Sequence, residues 1–209
     1  SLGLVGSEMC IRDRARRFIT AGYRLVQSPA KADVVVLNSC TVTATADSKA
    51  RQALRAASRA NPDALIVATG CYAQRSRDEL TRVDGVSLVV GNSSKEQLPE
   101  MVNSLLEERE APSTGRDAGW PAFKPQGNVA ELVLSAGRNR AMVKIQEGCD
   151  QVCAYCIVPR VRGRERSIPL SQLLDQVKKR VAEGYREVVL TGTQLGSYGF
   201  DMDPGTDLR

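Results

Sequence analysis

The chain has no histidine among its 209 residues. That absence removes every zinc pattern built from mixed cysteine and histidine ligands. No apolar run approaches the roughly 18 residues of a membrane span, so nothing in the sequence argues for a membrane partner. A secretory leader is not apparent either, and the six cysteines are expected to meet a reducing cytosol, with thiols free for metal and not committed to disulfides. Paired C-x2-C motifs, the usual sign of a four-thiol structural zinc site, are missing. The charge balance is only mildly basic, at +5 with a pI near 9.0, which is compatible with an RNA partner without establishing one. The 42% hydrophobic content is ordinary for a globular protein, and the length suits one large or two modest domains.

What is present is a cysteine triplet. Glu147-Gly-Cys-Asp-Gln-Val-Cys-Ala-Tyr-Cys places Cys149, Cys153 and Cys156 at C-x3-C-x2-C spacing, with an aromatic directly before the third thiol. The bacterial ferredoxin run has a different spacing and needs four cysteines. Three thiolates can hold a [4Fe–4S] cluster while leaving one iron without a protein ligand, and an open position is what separates a catalytic metal from a structural one. Spacing alone favours such a cluster over a structural metal or chance.

C-x3-C-x-aromatic-C resembles the signature of the radical S-adenosylmethionine (SAM) enzymes. The resemblance implies that Cys149, Cys153 and Cys156 are the cluster ligands and that the open iron chelates the amino and carboxylate groups of SAM. An electron from the cluster would then cleave SAM to a 5′-deoxyadenosyl radical. Tyr155 would lie along the adenine, although a packing aromatic accounts for it equally well. The protein's part is to position the cofactor and exclude side reactions.

The amino-terminal half alternates strands and helices. Ala32 to Asn38, Ala64 to Thr69 and Val86 to Val90 are short runs rich in β-branched residues, read as buried strands. A helix is predicted from Ala46 to Ala60, stopped by Asn61-Pro62, and another from about Lys95 to Glu108. This rhythm implies an α/β fold with a parallel sheet covered on both faces. Cys40 then falls just past one strand and Cys71 just past the next. Ligands of open α/β sheets bind outside the carboxyl ends of strands. Free cysteines are often simple core residues, but this pair in this chain favours a second metal site, with Cys10 the remaining candidate for a third ligand.

Val36-Leu-Asn-Ser-Cys-Thr-Val-Thr, Ala46-Asp-Ser-Lys-Ala-Arg and Thr69-Gly-Cys-Tyr-Ala-Gln resemble the amino-terminal domain of the methylthiotransferases. The resemblance implies a flavodoxin-like domain carrying a second [4Fe–4S] cluster on three cysteines, the first of which follows a Leu-Gly pair. Here Leu2-Gly3 is followed by Leu4, so that ligand is missing. Val5-Gly-Ser-Glu-Met-Cys-Ile-Arg-Asp-Arg resembles a translated sequencing-adapter tail. Residues 1–14 are therefore read as non-native, with Cys10 not the family ligand, and a divergent loop as the alternative.

Residues 15–110 form the amino-terminal domain in this reading, and 111–139 a linker rich in proline and glycine, with the single Trp120 and a short apolar run at Leu132. Residues 140–209 begin a radical SAM partial (β/α) barrel: a strand from Ala141 to Gln146, an amphipathic helix from Leu170 to Glu183, and a strand from Glu187 to Gly192. Two strands cannot close a barrel, so a truncated gene is expected, lacking the rest of the barrel and an RNA-binding domain. Thr191, Gly192 and Gln194 occupy the place where radical SAM proteins contact the SAM amino group, although a glycine-rich turn reads the same residues. Arg160, Arg162, Arg164 and Arg166 suit phosphate or carboxylate contact, or a solvated basic loop.

The resemblance thus implies a cytoplasmic methylthiotransferase that uses SAM and two [4Fe–4S] clusters, with an electron donor, a sulfur source and tRNA as partners. Thr41-Val-Thr and Thr191-Gly-Thr-Gln-Leu-Gly-Ser-Tyr-Gly resemble the branch acting on N6-threonylcarbamoyladenosine beside the anticodon. The isopentenyl-adenosine branch and the branch modifying a ribosomal-protein aspartate are the alternatives. A non-catalytic iron–sulfur module for electron transfer or RNA binding is the alternative of another class.

Overall fold

The structure is a computed structural model that describes residues 1–6, 8–40, 43–110, 140–202, 206 and 208, without the side chains of 3–6, 8–13 and 110. The linker reading, with Trp120 and the run at Leu132, lies outside these residues. The chain divides into two compact units, Ser1–Ala130 and Glu131–Arg209.

The first unit is built on a parallel sheet. Its strands are β1 (Leu2–Gly6), β2 (Leu25–Val26), β3 (Val34–Ser39), β4 (Leu65–Gly70) and β5 (Val86–Val90), in the order β2-β1-β3-β4-β5. That is the flavodoxin-like order. Successive side chains of a strand point to opposite faces, and here both faces are buried. Val35, Leu37, Ile66 and Ala68 join one core with Ala50, Leu54 and Tyr72. Val34, Val36, Leu65 and Val67 join the other with Phe18, Leu98 and Val102. The first core is covered by α2 (Ala44–Ala60) and α3 (Cys71–Arg75), the second by α1 (Glu8–Thr20) and α5 (Leu98–Glu110), while the short α4 (Arg77–Thr81) precedes β5.

The structure shifts several predicted limits. Helix α2 begins two residues before Ala46, because the Thr43 hydroxyl accepts the Ala46 N–H at 3.1 Å and caps the first turn. Residues 92–97 form a 3₁₀ helix and not the first turns of an α-helix, and α5 starts at Leu98. Residues 1–14, read as non-native, carry β1 and the opening of α1.

The second unit holds β6 (Arg140–Lys144) and β9 (Glu187–Thr191), paired in parallel, with β7 (Gln146–Glu147) pairing antiparallel to β8 (Arg166–Ser167). Helix α6 (Val158–Arg162) lies between β7 and β8, and α7 (Leu170–Ala182) between β8 and β9. Val143, Ile145, Leu173 and Tyr198 form the core, with Ile168, Val177 and Val188 packed against it. Among the apolar residues of α7, Leu174 and Val181 are exposed. Only Leu173 and Val177 of that apolar set reach the core, whereas the buried Arg180 donates to both carboxylate oxygens of Glu183 at 2.7 Å.

Candidate metal centres

The triplet loop leaves the sheet through a chain of fixed points. Ile145 N–H donates to Thr191 O at 2.8 Å, which continues the β6–β9 ladder, and Ile145 O accepts from Ile168 N–H at 2.8 Å. Gly148 follows at φ +82°, where a Cβ would stand 2.0 Å from Arg164 O. Both the left-handed backbone and the close approach demand glycine. Cys149 N–H donates to Gly163 O at 3.2 Å, and Cys156 N–H to Cys153 O at 3.2 Å.

Asp150 adds a second clamp on the same loop. Its carboxylate accepts from Glu165 N–H at 2.9 Å and from Arg164 Nη2 at 3.1 Å. The Arg164 guanidinium, helped by the Glu165 N–H, holds the Asp150 carboxyl below the usual carboxylate range. The loop is thus tied to the segment after α6, and its three thiols are free, with Cys153 exposed and Cys149 and Cys156 half-buried. Tyr155 is 96% exposed, so core packing does not account for it.

Sequence reasoning missed Gln146. It is 1% exposed, and its amide Nε2 donates to Gly148 O at 3.0 Å. Its Oε1 accepts from Thr193 N–H at 2.8 Å and from Gln194 N–H at 3.0 Å. The structure therefore brings the turn after β9, with Thr191, Gly192 and Gln194, against the strand that feeds the cysteine loop. Arg162 Nη1 also donates to Thr193 Oγ1, at 3.3 Å. The sequence carried no signal for it, since its burial and its partners emerge only from the fold.

Cys40 and Cys71 follow residues that face each other. Ser39 of β3 is in register with Gly70 of β4, so both thiols start from the same sheet edge. Gly70 has φ +102°, and a Cβ there would meet Ser39 O at 2.4 Å. Cys40 is exposed and Cys71, the first residue of α3, is half-buried, with Asn92 Nδ2 3.7 Å from its sulfur. Behind Cys71, Tyr72 is fully buried and accepts a hydrogen bond from Arg51. Arg51 also pairs with Glu79 at 2.7 Å, and Arg75 pairs with the buried Asp47 at 2.5 Å. Asp47 and Arg51 of the Ala46-Asp-Ser-Lys-Ala-Arg motif thus brace the helix that carries Cys71. Burial pushes the Tyr72 phenol above its ordinary value, against the pull of Arg51.

A third ligand for this edge is not among the described side chains. Cys10 lies in α1, its side chain outside the description, and Leu4 pairs in register with Val36, below the strand end. Among the described residues, no three Cys, Asp or Glu side chains are gathered closely enough to hold a metal ion. The donor chemistry nevertheless fits an iron–sulfur cluster at the triplet: three free thiols on one loop anchored at both ends. Metal sites are commonly completed by the metal itself. At the first-unit edge, two thiols alone make a partial set.

Residues 10–91 match the model of the uncharacterized protein family UPF0004. The chain is 42% identical over 185 residues to the threonylcarbamoyladenosine tRNA methylthiotransferase MtaB of Aquifex aeolicus, covering 88% of this chain and 44% of that protein. It is 41% identical to the Bacillus subtilis protein of the same name, covering 88% and 40%. A tRNA-2-methylthio-N(6)-dimethylallyladenosine synthase from Chloroherpeton thalassium is 35% identical, covering 89% and 41%. The chain therefore spans less than half the length of the curated relatives it matches. Among solved structures, the radical SAM methyltransferase TsrM from Kitasatospora setae superposes with a TM-score of 0.56 at 15% identity, covering 92% of this chain and 47% of that one.

A flavodoxin-like sheet unit is followed by an α/β unit that carries three free thiols on one loop, and the fold is similar to that of a radical SAM enzyme. By its matches the chain belongs to the methylthiotransferase family, beside the MtaB branch.

Proposed function

We propose that the chain works in adding a methylthio group to N6-threonylcarbamoyladenosine in the anticodon loop of tRNA, in the cytoplasm. The observation that carries this reading is the loop of three free thiols fastened beside the turn after β9. A [4Fe–4S] cluster on Cys149, Cys153 and Cys156 supplies, when bound, an electron and one open coordination position for SAM. Around it the chain's own residues have separate tasks. Gly148 and Asp150 fix where the loop leaves and re-enters the fold. Thr191, Gly192 and Gln194 present backbone and side-chain polar groups for the amino group of SAM, and the exposed Tyr155 ring offers a face for its adenine. Arg160, Arg164 and Arg166 are exposed beside this loop and suit tRNA phosphate. Arg164's pair with Asp150 lies at the surface, where solvent screens it, so it does not withdraw that charge from an RNA.

Cys40 and Cys71 are the chain's contribution to a second [4Fe–4S] cluster, through which sulfur from an external source reaches the substrate. The names of the A. aeolicus and B. subtilis relatives favour threonylcarbamoyladenosine as the substrate. The C. thalassium relative favours a second reading, dimethylallyladenosine. Expressing a full-length version in a strain without endogenous methylthiolation and analysing tRNA nucleosides by mass spectrometry separates them. A methylthio mass increment on threonylcarbamoyladenosine is the expected result, and one on dimethylallyladenosine selects the second. A purified full-length protein that forms no 5′-deoxyadenosine from SAM and reductant would leave the non-catalytic iron–sulfur reading.

A further inference from the structure

We infer that Gln146 is a positioning residue that locks the cysteine loop and the turn after β9 into one body, and that this lock sets the affinity for SAM. The inference rests on the proposed function for its link to SAM, but its geometry stands alone. A side-chain amide has one acceptor oxygen and two N–H donors. Gln146 directs its oxygen at the N–H groups of Thr193 and Gln194, and its nitrogen at the carbonyl of Gly148. Two backbone donors on one side and a backbone acceptor on the other fix which amide atom is which.

All three contacts are to main chain, so they hold the path of each loop whatever side chains line it. One partner is two residues away and the others are 47 and 48 away, so the residue carries the coupling of the two segments past the last ladder bond, Ile145 N–H to Thr191 O. A plain apolar residue would fill this position in the core, yet an amide occupies it at 1% exposure. Buried amides are retained where their hydrogen bonds specify an arrangement. Gly192 belongs to the same arrangement: a Cβ there would stand 3.1 Å from Gln146 Oε1 and 3.0 Å from Leu195 Cδ2. Arg162, just beyond the cysteine loop, also donates to the Thr193 hydroxyl oxygen. The two flanks of the cysteine loop thus grip one turn, the turn that the proposed function assigns to SAM.

The test compares wild type, Gln146→Met and Gln146→Glu in this chain, reconstituted anaerobically with iron and sulfide. Methionine keeps the volume and removes all three bonds, whereas glutamate keeps the acceptor oxygen. Amide hydrogen exchange at Thr193 and Gln194 should quicken by about tenfold or more in Gln146→Met, since two bonds of ordinary strength are lost. It should stay within about threefold of wild type in Gln146→Glu. Iron content should be unchanged in both, and the dissociation constant for SAM should rise about tenfold in Gln146→Met alone. Unchanged exchange in Gln146→Met would overturn the lock. Quickened exchange with unchanged SAM affinity would overturn its role in binding. If Gln146→Met does not fold, quickened exchange at Thr193 and Gln194 in a folded Gln146→Glu overturns the inference, and wild-type protection there upholds it. Wild-type protein that shows the protected amides but binds no SAM would refute the functional reading and not the lock.

Discussion

Gly148 and Gly70 show how much of each candidate centre is set by a single missing methyl group. At both, a positive φ coincides with a carbonyl oxygen 2.0 or 2.4 Å from where a Cβ would lie. Gly148→Ala should therefore destabilise the second unit by about 1–3 kcal/mol from backbone strain alone, and chemical denaturation with exchange at Cys149 and Arg164 checks it. The spacing of Cys149, Cys153 and Cys156 was legible because a loop this short keeps its thiols together whatever else the chain does. Gln146 was not legible, because its partners are 47 and 48 residues away and a strand-end glutamine reads as an ordinary polar residue. For Cys40 and Cys71 the strand runs before them were enough, since parallel register carries equivalent strand ends to one edge.

Elements made of long, regular patterns were the readable ones. Strands β3 and β4 appear where the β-branched runs predicted them, within two residues at each end. The short helices α3, α4 and α6 have five residues each, too few for a hydrophobic period to show. Helix α2 offers a clean test of its cap and its face. Thr43→Ala should cost about 1 kcal/mol through the lost Ala46 contact. Leu54, fully buried in the first core, should cost about 2–5 kcal/mol when cut to alanine. Both are read by urea denaturation followed by far-UV circular dichroism. In the second unit, Tyr198 donates its hydroxyl to Ile168 O at 2.8 Å, and burial, with the Asp201 charge, pushes its phenol above the ordinary value. A raised folded value means the stabilisation is complete below the unfolded phenol pKa of about 10 and is lost as pH rises through the folded one. The stability difference between wild type and Tyr198→Phe should accordingly be constant from pH 7 to 9 and shrink above pH 10.

At the scale of the molecule, the two units divide the five cysteines whose side chains are described, three on one loop and two at one sheet edge. The flavodoxin-like order was recoverable from strand rhythm and resemblance, but β1 and β2 were not. The first falls in the segment set aside as foreign, and the second has two residues. Loss of Cys71 should leave SAM cleavage by a full-length protein intact while stopping sulfur insertion, whereas Cys153→Ala should abolish cleavage. Liquid chromatography of 5′-deoxyadenosine and of modified nucleosides reads the two steps separately. The central claim is that Cys149, Cys153 and Cys156 hold a cluster with an iron open to SAM. Electron paramagnetic resonance of the reconstituted, dithionite-reduced chain tests it most directly. The account predicts a [4Fe–4S]⁺ signal that changes shape when SAM is added and disappears when the three cysteines are changed to alanine. A signal that ignores SAM, or that survives in the triple variant and still responds to SAM, would contradict it.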